Sequence, residues 1–385
     1  MKTRFLQGAA LLAAAAISLS ACGSSPSATS SPTSAPSVTA SQSATPETHV
    51  MHDSLGDVVV PFESQRIATT APAFTTAVLL LGGADKLVAL EENYGKNEWI
   101  KGKYPQLADL PVVFAANETN MEELLNQEPD LVLYATRYGE DTLKQLQDLG
   151  IAAVSGAKDS NAPGYDHLNW VRDNQLYFGE AIGGAQLENA KTYAEEFTSA
   201  REAITAKTEG IAEADRPTVV QLSAAGDILQ ANNGSAIGQE MITLAGGINA
   251  AADAQGESKG PSGQTQIEAE QLLSWNPEIL LVDSQQISDA ITSDPIFSEL
   301  DAVKSGRIYI VPNGAMAWAY NGPEAYLAMQ FFAKAVQPEL FTDLDLQKVT
   351  EDFYKNYFGF DLSDEDLTHL FNLTDGQKVA DVFAK

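Results

Sequence analysis

The sequence predicts an α/β protein of two similar lobes with mainly parallel sheets, joined by a single long helix. Three observations carry this. Leu124-Leu125-Asn126-Gln127-Glu128-Pro129-Asp130-Leu131-Val132-Leu133 is echoed by Leu272-Leu273-Ser274-Trp275-Asn276-Pro277-Glu278-Ile279-Leu280-Leu281. Both read as the end of an amphipathic helix, a proline that stops it, an acid and a buried strand. Leu81-Gly82-Gly83 and Ala245-Gly246-Gly247 form a second pair, each closing a helix-like run with glycine in the capping place. Between the halves, residues 169–214 keep a helical period with few breakers, and 186–207 reads as one long helix rich in Ala, Glu, Lys and Thr.

The chain opens with Lys2 and Arg4, an apolar run and Leu19-Ser20-Ala21-Cys22, the pattern of a secretory signal. The run from Phe5 to Ala21 is interrupted by Gln7, Ser18 and Ser20, and falls short of the roughly 20 residues that a spanning helix needs. Leu19-Ser20-Ala21-Cys22 resembles the lipobox of bacterial lipoproteins, which implies cleavage after residue 21 and diacylglycerol on Cys22. Cys22 is the only cysteine, so its lipidation leaves no disulfide and no cysteine metal site. The tract after it is made of Ser, Thr, Pro and Ala with one charged residue, Glu47. It buries too little to offset its ordering entropy and is expected to be a leash. The resulting division is a signal peptide over 1–21, a lipid-anchored leash over 22–52, a first lobe over 53–168, a connector over 169–215 and a second lobe with C-terminal helices over 216–385.

Candidate strands in the first lobe are 66–70, 86–90, 130–134 and 152–154; in the second they are 218–222, 278–282 and 307–311. Helix-then-strand units at this spacing call for mainly parallel sheets. The segment 345–371 is helical by pattern, with Thr350, Phe353, Tyr354, Tyr357 and Phe358 on faces expected to pack on the body. The formal charge is −29, or −31 once Lys2 and Arg4 leave with the signal. Such a chain is repelled by nucleic acid and anionic headgroups, so membrane contact is expected through the lipid alone.

Several stretches, in a shared order, resemble the solute-binding proteins of ABC importers for ferric siderophores, haem, corrinoids and related metal chelates. They are Gly56-Asp57-Val58-Val59-Val60-Pro61 with Arg66-Ile67-Ala68, Gly82-Gly83-Ala84-Asp85-Lys86-Leu87-Val88, Met121-Glu122 through Pro129-Asp130-Leu131-Val132, and Gly246-Gly247-Ile248-Asn249. Further on come 270–282, Ala302-Val303-Lys304-Ser305-Gly306-Arg307-Ile308-Tyr309, Gly322-Pro323-Glu324 and 333–341. The resemblance runs from Gly56 to about Phe371. It implies a rigid-linker body with a ligand cleft between the lobes, held as a monomer on the outer face of the bacterial cell membrane. It also implies a permease dimer with its ATPase as partner, an iron(III) chelate as ligand, and no cofactor beyond the lipid. Haem and corrinoids are the alternatives within the class.

In open α/β sheets ligands sit beyond the carboxyl ends of the strands. The residues there are aromatic and amide-rich with one fixed cation. The candidates are Tyr94, Arg137, Tyr138, Tyr165, His167 and Trp170 from the first lobe and connector, and Ser223, Asn233, Trp318 and Tyr320 from the second. Aromatic walls suit a bulky chelate, and a guanidinium suits its carboxylate or hydroxamate oxygens. The mature chain has only His49, His52, His167 and His369, too few in one place for a bare divalent metal, although His167 or a tyrosine would serve as a haem ligand. The resemblance also implies one acid on each lobe's rim facing permease arginines. Glu122 falls on the first position; the second is occupied by Thr243, and Glu240, on the same helical face, is the expected substitute. A lipid-anchored hydrolase is the rival from another class. The chain has no Gly-x-Ser-x-Gly elbow, His-Glu-x-x-His or phosphate-cradling loop, so no enzyme activity is expected.

Overall fold

The computed structural model describes residues 47–115, 118–157, 166–225, 228–255 and 263–384. Cys22, the Ser/Thr/Pro tract and Tyr165 lie outside them. Residues 46–385 form one compact unit. The first lobe begins with a hairpin, β1 (Thr48–Asp53) and β2 (Gly56–Pro61), and continues through β3 (Ile67–Thr69), α1 (Pro72–Leu80), β4 (Leu87–Glu91), α2 (Glu98–Lys103), β5 (Val112–Ala115) and β6 (Glu118–Thr119). It closes with α3 (Met121–Asn126), β7 (Leu131–Leu133), α4 (Gly139–Asp148) and β8 (Ala152–Val154). The strand order β6-β5-β4-β3-β7-β8 is parallel throughout except at β6.

The connector is a helical hairpin, α5 (His167–Ile182) and α6 (Gly184–Thr208), so the long helix expected over 186–207 has a partner. The second lobe holds β9 (Thr218–Ala225), β10 (Ile228–Asn232), α7 (Ile237–Leu244), β11 (Ile248–Asn249), β12 (Gln264–Gln266) and α8 (Ala269–Trp275). After these come β13 (Ile279–Val282), α9 (Gln285–Ser293), α10 (Asp301–Ser305) and β14 (Ile308–Ile310). Its order is β12-β10-β9-β13-β14 with β11 beside β9; β9, β11, β13 and β14 are parallel, while β10 runs antiparallel to both of its neighbours, β9 and β12. Three helices end the chain, α11 (Ala325–Val336), α12 (Leu346–Phe353) and α13 (Asp364–Phe371). Among the described residues no helix is long and apolar enough to cross a membrane.

The sequence echo has a physical basis. In both copies the residue before the proline turns left-handed, Glu128 at φ 46° and Asn276 at φ 39°. The acid after the proline then caps the start of the neighbouring strand. Asp130 accepts from the Gln65 and Arg66 amides at 2.8 and 3.0 Å, and Glu278 accepts from the Thr218 amide at 2.8 Å. The strands that follow are buried on both faces. Leu131 and Leu133 enter a core shared by both lobes while Val132 and Tyr134 enter a core private to the first. Ile279 and Leu281 against Leu280 and Val282 repeat the division in the second lobe.

One boundary moves. The body starts at Thr48, not Asp53: residues 48–52 belong to the first strand, so the leash expected through 52 is shorter. The His49 ring stacks on Phe62 at 4.9 Å, and His52 Nδ1 lies 2.8 Å from Asp57. The buried Asp53 carboxylate fastens this hairpin, accepting from the amides of Leu55, Ser155 and Gly156 and from the Tyr177 hydroxyl at 2.8 Å. The C-terminal helices also do more than close the second lobe. Asp366 on α13 accepts from Trp99 Nε1 at 2.9 Å and Lys103 Nζ at 2.6 Å, both on α2, and the Tyr104 hydroxyl donates to the Phe358 carbonyl. Burial opposes charge on Asp366, but hydrogen bonds from Lys103, Ser363 and Trp99 outweigh it and hold the group at about 2. The aromatic faces of Phe353, Tyr354, Tyr357 and Phe358 are buried as packing, as expected.

Gly183 closes the connector hairpin at φ 77°, and a Cβ there would stand 1.9 Å from the Phe62 carbonyl oxygen. Positive φ and backbone overlap together predict that Gly183→Ala destabilises the fold by roughly 3 kcal/mol in urea denaturation. A loss under about 1 kcal/mol would contradict this contact.

Candidate functional site

The parallel strands of both sheets end at a shared cleft. A cavity of about 870 Å³ is lined from the first lobe by Pro72, Asn93, Tyr94 and Asn97, and from the second by Ser223, Gln230, Gln264, Asp283, Met316 and Tyr320, among others. A smaller recess of about 300 Å³ shares Pro72, Gln264, Met316 and Tyr320 and adds Arg137. This volume suits an organic ligand.

Two buried glutamates shape the loops at the mouth. Glu91, at the end of β4, accepts from the amides of Asn93 and Tyr94, and desolvation raises its pKa against those bonds. Glu324, fully buried before α11, accepts from the amides of Ala315 and Met316 and from the Tyr354 hydroxyl; burial pushes its pKa up to about 7. Each carboxyl thus holds one cleft loop from behind. The loops are tied directly: Asn97 Nδ2 donates to the Gly314 and Ala315 carbonyls at 2.9 and 3.1 Å.

The candidate residues divide. Tyr94, Arg137, Ser223 and Tyr320 reach the cleft. The Tyr94 hydroxyl and Ser223 Oγ are buried without a hydrogen-bond partner among the described residues. Arg137 Nη2 donates to the Thr70 carbonyl at 2.7 Å and the guanidinium lies over the Tyr138 ring at 5.1 Å. Among the described residues it forms no salt bridge, to Glu140, Asp141 or any other acid. Tyr320 Oη accepts from Gln264 Nε2 at 2.8 Å.

The others lie elsewhere. Tyr138 is buried edge-on to Phe114 and acts as the shelf under Arg137. Trp318 is fully buried against Phe371 and Tyr354, because its loop folds inward between Met316 and Tyr320. His167 and Trp170 sit in the first turn of α5, and Trp170 packs on the shared core. Asn233 is spent on structural partners, donating to the Thr265 hydroxyl on β12 and accepting from the Ser235 amide in its own turn. Glu240 is not a free rim acid: its carboxylate accepts from the amides of His167 and Leu168 at 2.8 and 3.0 Å, stapling α7 to the start of α5. Burial and the neighbouring Asp166 raise it to about 7. Glu122, by contrast, is exposed in the first turn of α3.

Four residues outside the candidate set stand out. Asn97 and Gln264 were not singled out because they stand on a short helix cap and an edge strand. Asp283 follows β13, where the strand-end rule points, and lines the cavity with burial raising it to about 6. Glu270 was legible in the repeat itself: aligning Leu124-Leu125 with Leu272-Leu273 puts Glu270 on Glu122, exposed in the first turn of α8. Among the described residues no group of three or more His, Cys, Asp or Glu is placed to hold a metal ion.

Asp283, Glu240 and Glu324 all have folded pKa values above those of free carboxyls. A carboxyl raised on folding contributes stability below its unfolded pKa and loses it as pH rises through the folded value. The thermal midpoint is therefore expected to fall between about pH 5 and pH 8, with Asp283→Asn reducing the slope. A midpoint that rises across this range would refute the burial of these groups.

The periodic match to known proteins agrees with this geometry. The profile of the periplasmic binding protein family matches residues 67–315. The chain is 28% identical over 269 residues to the molybdate-binding protein MolA of Haemophilus influenzae, covering 66% of this chain and 74% of that one. It is 24% identical to the Fe(3+)-citrate-binding protein YfmC of Bacillus subtilis, covering 68% and 78%. Among solved structures, a periplasmic solute-binding protein from Veillonella parvula superposes with a TM-score of 0.73 at 25% identity, over 85% of this chain and 97% of that one. MolA bound to molybdate superposes with a TM-score of 0.68 at 22% identity, over 82% and 99%. The two-lobed α/β body, its cleft at the strand ends and the extent of the family match make this chain a member of the periplasmic binding protein family.

Proposed function

We propose that the protein is a membrane-tethered extracytoplasmic solute-binding protein that captures a ferric siderophore or related metal chelate and delivers it to an ABC permease. The observation that carries this is the cleft: about 870 Å³ of amide- and tyrosine-lined space with a guanidinium at its edge. A four-oxygen anion would leave most of that volume empty, whereas an organic chelate fills it. Relatives with printed ligands span molybdate and ferric citrate, and haem is the second reading within the class because a solved relative is a heme-binding protein. Cys22 supplies the tether, as the lipobox resemblance implies, and Ser/Thr/Pro-rich chain sets the distance to the membrane. Docking rests on Glu122 and its repeat counterpart Glu270, exposed on equivalent helices of the two lobes, with Glu240 released from that role.

Titration with ferric siderophores, haemin and cobalamin is expected to quench tryptophan fluorescence saturably, without turnover, for at least one coloured chelate. Quenching by none of them would remove the chelate reading. Glu122→Arg and Glu270→Arg are each expected to cut uptake in whole cells at least about tenfold while leaving purified-protein affinity within about twofold, as rim charges steer docking and not capture. Unchanged uptake in both variants would sink the docking assignment.

A further inference from the structure

The charges in the cleft are few and opposed. Arg137 is its one basic lining residue among those described. Asp283 lines the adjoining larger cavity, and its backbone amide donates to the Leu222 carbonyl at 3.1 Å, which fixes the backbone at the end of β13. Among the described residues its carboxyl forms no salt bridge; it accepts from Gln221 Nε2 at 3.5 Å, the limit of a hydrogen bond. Beside it, Gln221 Oε1 and Ser223 Oγ are buried without partners among the described residues. The rest of the wall is uncharged: Asn93, Asn97, Gln230, Gln264 and Tyr320 among others. At Ala224, Gln286 and Ile287 the cleft joins a recess of about 490 Å³ with apolar walls of Leu229, Ile267, Ile291 and Phe297 and with Gln266 and Glu268 in its lining.

We propose that the site takes an uncharged or cationic ferric chelate of the trihydroxamate type, and that Asp283 sets this specificity by accepting a hydrogen bond from the ligand's N–H donors. The inference rests on the chelate reading above and narrows it. A hydroxamate complex is neutral at the metal, and its oxygens accept from one guanidinium and several amides. Its ammonium or amide N–H groups satisfy Asp283, and its aliphatic spacers fit the apolar recess. A tris-catecholate complex carries three negative charges; one guanidinium cannot balance them, and Asp283 repels them at short range. A bare oxyanion meets the same carboxylate with no donor to offer it.

The test is calorimetric titration at pH 7.5 with three probes: ferrioxamine B (a cationic ferric trihydroxamate), ferric enterobactin (a trianionic tris-catecholate) and sodium molybdate. Ferrioxamine B is expected to bind at least about 100-fold more tightly than either anion. Asp283→Asn is expected to weaken ferrioxamine B about tenfold and to strengthen ferric enterobactin, with the thermal midpoint as the control for folding. The wild-type comparison needs no variant, so it decides even where Asp283→Asn does not fold. Ferric enterobactin or molybdate binding as tightly as ferrioxamine B overturns this inference; the enterobactin result leaves the chelate reading intact, and the molybdate result does not. An Asp283→Asn variant that folds and changes neither affinity removes Asp283 from the specificity. If no ferric complex binds, both the inference and the reading beneath it fall.

Discussion

One carboxylate, Asp366, ties the C-terminal helices to the first lobe. It takes hydrogen bonds from Trp99 and Lys103 of the first lobe and, through Ser363, caps its own helix. The ion pair is mostly out of water, so its attraction is little screened, and breaking it would strand a charge in an aromatic surround of Trp99, Tyr354 and Phe360. The C-terminal segment is thereby a brace.

The same device recurs closer to the ligand space. Glu91 and Glu324 each sit under a loop that carries cleft residues, and each spends its lone pairs on backbone amides. A loop held by its own amides keeps its shape without a ligand, and that lowers the ordering cost of capture. Desolvating these acids is unfavourable, as their raised pKa values show, so part of the fold's stability is exchanged for a preformed mouth. The acidity of the chain is thus partly structural: several of its carboxylates face inward as caps and staples rather than outward to solvent.

Much of the architecture was legible because it repeats. The proline that ends a helix, the acid that caps the adjacent strand and the doubly buried strand leave a signature in consecutive residues. All seven strands expected from the sequence are present, each end within three residues of the expected one. Short edge strands such as β6 and β11 left no such mark, since two residues give no period. The cleft was legible only in outline. The strand-end rule points to Tyr94, Arg137, Ser223 and Tyr320, which line the cleft, but it gives position and not direction. Trp318, two residues from Tyr320, points into the core because the loop after β14 has no regular alternation. Tyr138 turns under Arg137 for the same reason. Glu240 was misassigned by its spacing along one helix, when the tertiary partner it caps, the start of α5, is some seventy residues away.

The Asn97 amide, bonded to two carbonyls of the opposite lobe, has a consequence for traffic at the membrane. Within the function proposed above, lobes stitched at the mouth's edge would limit closing motion, and an empty carrier would then present much the same outer face as a loaded one. A permease that reads shape alone would then accept both. Empty copies would occupy docking sites unproductively, and transport would be fastest at an intermediate ratio of carrier to permease rather than at the highest. For a chain built in this way, abundance is a setting to be tuned and not a quantity to be maximised.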